Sequence, residues 1–268
     1  MTKKVLFFLF FLFLNSVYSE TYRVKLKKIQ ASLFETEKGK KFLLKKDYGK
    51  AEKKFTLALK DFKENSMALG FLGIIYLKKR EYGKASDFFS KSLQYFPTYK
   101  EKYGDFLKKQ LKKIEGKIFV YEKQKEFCRI DEGGICDFMC NTAATVELAK
   151  RRKEDLATID LKIEKLRKRK KIIESQLSIL GNIKFPIAFR IGYAESLFAQ
   201  KNYLAAAKQY ETAALDYKNV KTFYSKAALC FVFAGNCEKA KYFLKNSPRK
   251  DLSVEKEYIN HCGNKEKR

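Results

Sequence analysis

The stretch SMALGFLGIIYLKKREYGKASDFFSKSLQYFPTY, residues 66–99, decides how this chain folds. Within it Tyr82, Ala85 and Phe89 repeat Tyr48, Ala51 and Phe55 at a spacing of 34 residues, the length of one helix-turn-helix unit of a stacked array. Gly73 and Ala85 are small where two antiparallel helices must approach closely. Leu72, Tyr76 and Phe89 supply the bulk that fills the seam between them. Such a unit cannot bury its apolar face alone, so neighbours of the same kind are expected.

Upstream the register returns at Gly39, Phe42, Tyr48, Ala51, Phe55, Ala58 and Leu59, although Glu35 and Lys38 stand at apolar positions and Lys63 replaces Pro97. Downstream it returns at Tyr193, Ala194, Leu197, Tyr203, Ala206, Tyr210 and Ala213, and again at Tyr224, Ala227, Ala228, Phe231, Ala240 and Leu244. With Leu69, Leu72, Gly73, Tyr76, Tyr82, Ala85, Phe89, Leu93 and Pro97, the pattern resembles the tetratricopeptide repeat (TPR). The resemblance implies an all-α fold, a TPR-like α-α superhelix, with repeats over 32–65, 66–99, 187–220 and 221–254. It also implies a peptide-binding groove lined by the first helix of each repeat. Ser253 is the expected N-cap of a closing helix carrying Glu255 and Glu257 in its first turn. Some proteins of this family hold a terminal carboxylate with lysine and asparagine at fixed places; Thr36 and Lys40 occupy those places here, so that mode is not carried over.

Between the repeats the period changes. From Ala149 to Leu180 a heptad pattern places Ala149, Leu156, Ile163, Lys170 and Leu177 on one row and Arg152, Ile159, Leu166, Ile173 and Leu180 on the other, the seam of a coiled coil. Its partner is upstream, at Leu107, Leu111, Ile114, Ile118 and Tyr121. Asp131-Glu132-Gly133-Gly134 is a turn signal between them. A long antiparallel coiled-coil hairpin over 101–185 is expected, roughly 40 to 60 Å long at about 1.5 Å per residue, with Gly181, Asn182 and Pro186 ending its returning arm.

The N-terminus carries Lys3 and Lys4 before an apolar run from Val5 to Leu14, then Val17-Tyr18-Ser19. This reads as a secretory signal peptide over 1–19. It divides the expected chain into leader, N-terminal repeats (20–100), hairpin insertion (101–185), and C-terminal repeats with their cap (186–268). The location expected is periplasmic or extracellular. Lys and Arg number 58 against 31 Asp and Glu, a formal charge of +27. Such an excess usually points to nucleic acid, but export argues against it, and so does composition, since 48 of the 58 are lysine, which suits exposed helical faces. The densest run is Lys165, Arg167, Lys168, Arg169, Lys170 and Lys171. It reads either as a solvated face or as a contact for a polyanion such as lipid headgroups or wall polymer.

Six cysteines in an exported chain read as disulfides. Cys128, Cys136 and Cys140 lie around the hairpin tip; Cys230, Cys237 and Cys262 lie in the last repeat and its cap. The pairings expected are Cys128 with Cys140 and Cys230 with Cys237, while Cys230 and Cys262 also suit small buried positions. No zinc ligand set is read from these spacings, although His261 adjoins Cys262. The single histidine and the scattered glycines and carboxylates assemble no catalytic or cofactor motif. A non-enzymatic scaffold or adaptor of a bacterial-type envelope is therefore expected, without cofactor or metal, binding protein partners through groove and arm. Self-association along the coiled-coil seam is the other use of the arm. The alternative function is a basic exported protein that binds polyanions.

Overall fold

The computed structural model describes residue 24, residues 26–130 and residues 143–263, and only the backbone of 127–130 and 143–155. The expected leader, the Asp131–Gly134 turn, the side chain of Cys128, and Cys136 and Cys140 lie outside this set. All regular structure among the described residues is helical. The helices are α1 (residues 26–44), α2 (Tyr48–Asp61), α3 (Ser66–Lys78), α4 (Tyr82–Ile130), α5 (Ala143–Leu180), α6 (Ile187–Ala199), α7 (Tyr203–Asp216), α8 (Lys221–Phe233), α9 (Cys237–Lys245) and α10 (Leu252–Cys262). The described residues fall into two compact units, those up to Tyr99 together with those from Lys184 onward, and those between Lys100 and Ile183.

In the first unit the same contacts recur every 34 residues. A Cβ on Gly39 would lie 2.5 Å from the Phe55 ring, and one on Gly73 would lie 2.7 Å from the Phe89 ring. First and second helices therefore touch backbone to ring, an approach that a methyl group would obstruct. Ala51, Ala85, Ala206 and Ala240 occupy one repeat position, and all are fully buried. The turn between the two helices recurs as well. Lys46, Arg80, Lys201 and Gly235 hold φ of 60°, 62°, 61° and 73°, left-handed backbone that reverses the chain within a few residues. Asp47, Asn202 and Asn236 follow as N-caps, accepting from the N–H groups of Lys50, Ala205 and Lys239 at 3.0, 3.4 and 3.1 Å. Each satisfies a donor that the helix start leaves unpaired.

The array resumes directly across the interruption. Phe89 of α4 reaches Gly192 of α6, where a Cβ would lie 2.6 Å from the ring, and Phe189 sits against Gly70 at 2.2 Å by the same measure. Phe189 also meets Phe71 edge-on, with centroids 5.1 Å apart, and Phe71 stacks on Phe55 at 5.2 Å. An aromatic column thus runs from α2 to α6. Buried polar groups fix the earlier joints: Asn65 donates to Ser32 Oγ and Thr36 Oγ1 at 2.8 and 2.9 Å and caps α3 through Ala68 N–H. Ser66 and Ser92 each donate to the other's carbonyl at 2.7 Å. The charges at the apolar positions of the first repeat are accommodated by pairing. Glu35 meets Lys54 at 2.8 Å and Lys38 at 3.1 Å, and the Lys54 hydrogen bond leads in holding its carboxyl below the usual range.

Pro97 lies inside α4, which continues to Ile130. Two expectations need correcting. The closing helix begins at Leu252 with Asp251 at the cap position, and Ser253 donates to Asp251 Oδ1 at 2.8 Å. Cys237 is bonded to Cys262, with Cα atoms 5.6 Å apart, while Cys230 is a buried free thiol. The pairing with Cys230 fails because α10 packs back on α8 and α9 and carries Cys262 to the start of α9. Cys230 is instead enclosed with Phe231 and Phe243 in the core of the last repeats.

In the second unit α4 and α5 run antiparallel. Ion pairs join Glu115 to Lys170 at 2.9 Å, Glu122 to Arg167 at 2.8 Å, and Lys125 to Asp160, so partners descend along α5 as they ascend along α4. Leu107, Ile114, Ile173 and Leu180 are buried between them, with Leu111, Ile118, Leu166 and Leu177 packed alongside.

Glycine substitutions separate close approach from helix propensity. Gly73→Ala and Gly192→Ala should each cost about 1 to 3 kcal/mol by overpacking against Phe89. Gly116→Ala, in α4 with nothing near its Cβ, should gain about 0.5 to 1 kcal/mol. Denaturant titrations of the three variants check the opposed signs. Cys237 and Cys262 are 25 residues apart, a closure worth about 3 to 4 kcal/mol in the chain-entropy model. Reductant or Cys237→Ala/Cys262→Ala should lower the melting temperature and free α10 first, read as early loss of hydrogen-exchange protection at Val254.

Candidate functional site

The ends of α3, α6 and α8, all first helices of their pairs, surround a cavity of about 530 Å³ in the first unit. Leu77, Phe198, Ala199 and Leu229 give it apolar walls; Tyr210 and Cys230 also line it. Its charged lining is Lys78, Arg80, Lys226 and Glu195. Lys226 pairs with Glu195 at 2.9 Å and its ammonium stands 5.4 Å from the Tyr210 ring centroid. Lys78 and Arg80 are exposed, leaving the rim net positive. Gln200 donates to the Tyr82 carbonyl at 3.1 Å, tying the end of α6 to the start of α4 at the cavity's edge.

Burial sets the chemistry of the two titratable groups inside. It pushes the Cys230 thiol up to about 12, against a smaller opposing pull from Lys226. It also raises Tyr210, with the nearby Glu195 charge adding to the effect. Both are neutral at ordinary pH, suited to packing and to a neutral hydrogen bond rather than to nucleophilic attack. No group of three or more His, Cys, Asp or Glu side chains placed to hold a metal occurs among the described residues. His261 pairs with Glu257 on its own helix at 3.5 Å and meets Phe233 edge-on.

The residues singled out from the repeat register lie as follows. Leu72 is 2% exposed and Ala85, Phe89 and Ala206 are fully buried, with Tyr210 at 2%. Gly73 is buried against Phe89; Tyr82 and Tyr203 are half-buried. Tyr76 donates to Glu52 at 2.5 Å, which pushes its hydroxyl up to about 12. Thr36 is buried, donates to the Ser32 carbonyl and accepts from Asn65, a role in packing. The basic run belongs to the second unit. There Arg167, Lys168 and Lys170 are paired to acids, at 2.8, 2.6 and 2.9 Å for Glu122, Glu164 and Glu115. Lys165, Arg169 and Lys171 are exposed and have no acidic partner among the described residues. Leu77, Lys78, Phe198, Lys226 and Leu229 escaped the sequence reading. The signal that locates some of them is their place in the last turn of a first helix, just before the left-handed residue.

No family model matches the chain, and no curated protein matches it. Solved structures similar to it include Pseudomonas aeruginosa PilF, at 15% identity over 86% of this chain and 97% of that one, with a TM-score of 0.26. TTC0263, a thermophilic TPR protein of Thermus thermophilus, matches at 14% identity over 86% and 98%, with a TM-score of 0.28. Yeast Tom70 matches at 16% over 88% of this chain and 56% of that one, with a TM-score of 0.24. The chain is TPR-like. What makes it so is its own recurrence: the Gly39–Phe55 contact repeated at Gly73–Phe89, and one buried alanine and one left-handed turn per pair.

With the thiol at about 12, roughly one Cys230 in ten thousand is ionised at pH 8. Native TPR-like chain treated with iodoacetamide at pH 8 should keep Cys230 unlabelled in peptide maps, and denatured chain should label it within minutes. Rapid native labelling at pH 8 would place the thiol in contact with solvent.

Proposed function

We propose that this chain is a non-enzymatic interaction scaffold that holds a segment of a partner protein in the cavity between α3, α6 and α8. The observation that carries this reading is the cavity itself, about 530 Å³ with apolar walls and a rim of Lys78, Arg80 and the Glu195-paired Lys226. A segment suited to it places one apolar side chain among Leu77, Phe198 and Leu229 and an acidic neighbour against the rim. The neutral Tyr210 and Cys230 support binding over catalysis.

We place the scaffold outside the cytoplasm, in the periplasm or beyond. The support is the leader-like N-terminus together with the Cys237–Cys262 bond, since such bonds persist in oxidising compartments. The antiparallel pairing of α4 with α5 supports a coiled-coil arm over 101–185, a second face for partners or for a second copy. The Cys128–Cys140 staple at its tip belongs to this proposal.

A peptide library displayed on phage and selected on the purified chain tests the cavity. Enriched peptides should combine an apolar anchor with Asp or Glu. Leu229→Arg should weaken them at least tenfold, and Lys78→Glu with Arg80→Glu should weaken them by about fivefold or more, with helical circular dichroism retained in each. Peptides indifferent to Leu229→Arg would move the binding surface elsewhere.

A further inference from the structure

The face of α5 turned away from α4 carries exposed apolar side chains that play no part in the seam or the cavity. Leu161, Ile172 and Ile179 are 51%, 60% and 56% exposed. At about 100° per residue the three fall within about 20° of one another on the helix. They lie opposite the row of Ile163, Leu166, Ile173, Leu177 and Leu180, which is turned inward. From Leu161 to Ile179 the stripe runs about 27 Å at about 1.5 Å per residue.

Basic residues share that face. Lys165 and Lys168 lie within about 40° of the stripe and Arg169 and Lys171 flank it on either side at about 80°. Lys165, Arg169 and Lys171 have no acidic partner among the described residues, and Lys168 meets Glu164 at 2.6 Å. Apolar positions that receive a partner helix alternate at steps of three and four, as the inward seam of α5 does. On the outward face that alternation reads Leu161, Lys165, Lys168, Ile172, Ser175, Ile179. Lysine fills two of its six places, which breaks a helix seam but suits a surface where long cations reach up to phosphates while isolated aliphatics enter the acyl boundary.

We propose that this face of α5 docks onto an anionic phospholipid bilayer, lying in its interface. Among the described residues no helix is long and apolar enough to cross a membrane, and the stripe needs only to dip below the headgroups. Charge complementarity selects the lipid: each unpaired cation near an anionic surface is worth about a fivefold gain in binding. The inward seam keeps the face formed before any contact. This proposal is independent of the cavity and of what the cavity binds.

The chain has no tryptophan, so Ile172→Trp gives a single reporter on the stripe. Mixed with phosphatidylglycerol–phosphatidylcholine vesicles, its emission should shift to the blue, and with pure phosphatidylcholine it should stay unchanged. In co-sedimentation with the anionic vesicles, Ile172→Ser with Ile179→Ser should lower binding at least tenfold. Lys165→Glu with Arg169→Glu should do the same, while Leu204→Asp, at a 49% exposed leucine in the other unit, should leave it unchanged. Two outcomes overturn the proposal. One is unshifted emission with full binding by the Ile→Ser pair, which would leave only diffuse attraction by the net positive charge. The other is a change of the Ile→Ser pair from dimer to monomer in sedimentation with vesicle binding intact, which would make the stripe a contact between copies.

Discussion

Phe89 closes against two glycines at once, Gly73 on its own repeat and Gly192 on a helix more than a hundred positions later, and the first unit depends on that double contact. A ring packed against bare backbone brings α3, α4 and α6 closer than side-chain packing allows. Phe189 on Gly70 repeats the device one layer over. The two stretches of sequence on either side of the insertion are thereby joined as neighbours in one stack. Only because α6 is drawn against α3 do Leu77, Lys78 and Arg80 share a cavity with Glu195, Phe198 and Lys226.

Regularity in this unit is kept by local devices that cost little individually. A left-handed residue in each turn is a strain, greater for Lys46, Arg80 and Lys201 than for Gly235. The Asp or Asn cap that follows three of the four turns offsets part of it by satisfying a helix-start donor. At the far end the array would leave the apolar flank of α8 and α9 open. There α10 covers it with Val254, held by the Cys237–Cys262 bond, as a terminal repeat requires.

The second unit works by a different rule. Its α4–α5 seam is a row of aliphatics flanked by cross-helix ion pairs, and the acids of α4 take up Arg167 and Lys170 from the basic run. A run that looks uniform in sequence is therefore split by its neighbour helix into paired charges and free ones. The free ones lie around the outward aliphatics Leu161, Ile172 and Ile179. Sequence periodicity marks the seam because apolar residues dominate it, and it passes over the outward stripe because lysines interrupt the pattern.

The sequence by itself determined the helical class, the 34-residue register and the small residues Gly39, Gly73 and Ala85 of the first pairs, because these rest on contacts a few residues apart or on a fixed period, whereas Gly70 and Gly192 meet their rings only in the tertiary structure. Cys237 illustrates what lay beyond it: its partner depends on α10 folding back, a long-range packing choice that neither spacing nor compartment encodes. The cavity is the clearest case. Its walls come from α3, α6 and α8, separated by long stretches of chain, and only the tertiary structure, by setting ring on glycine across the insertion, decided that these helix ends would meet.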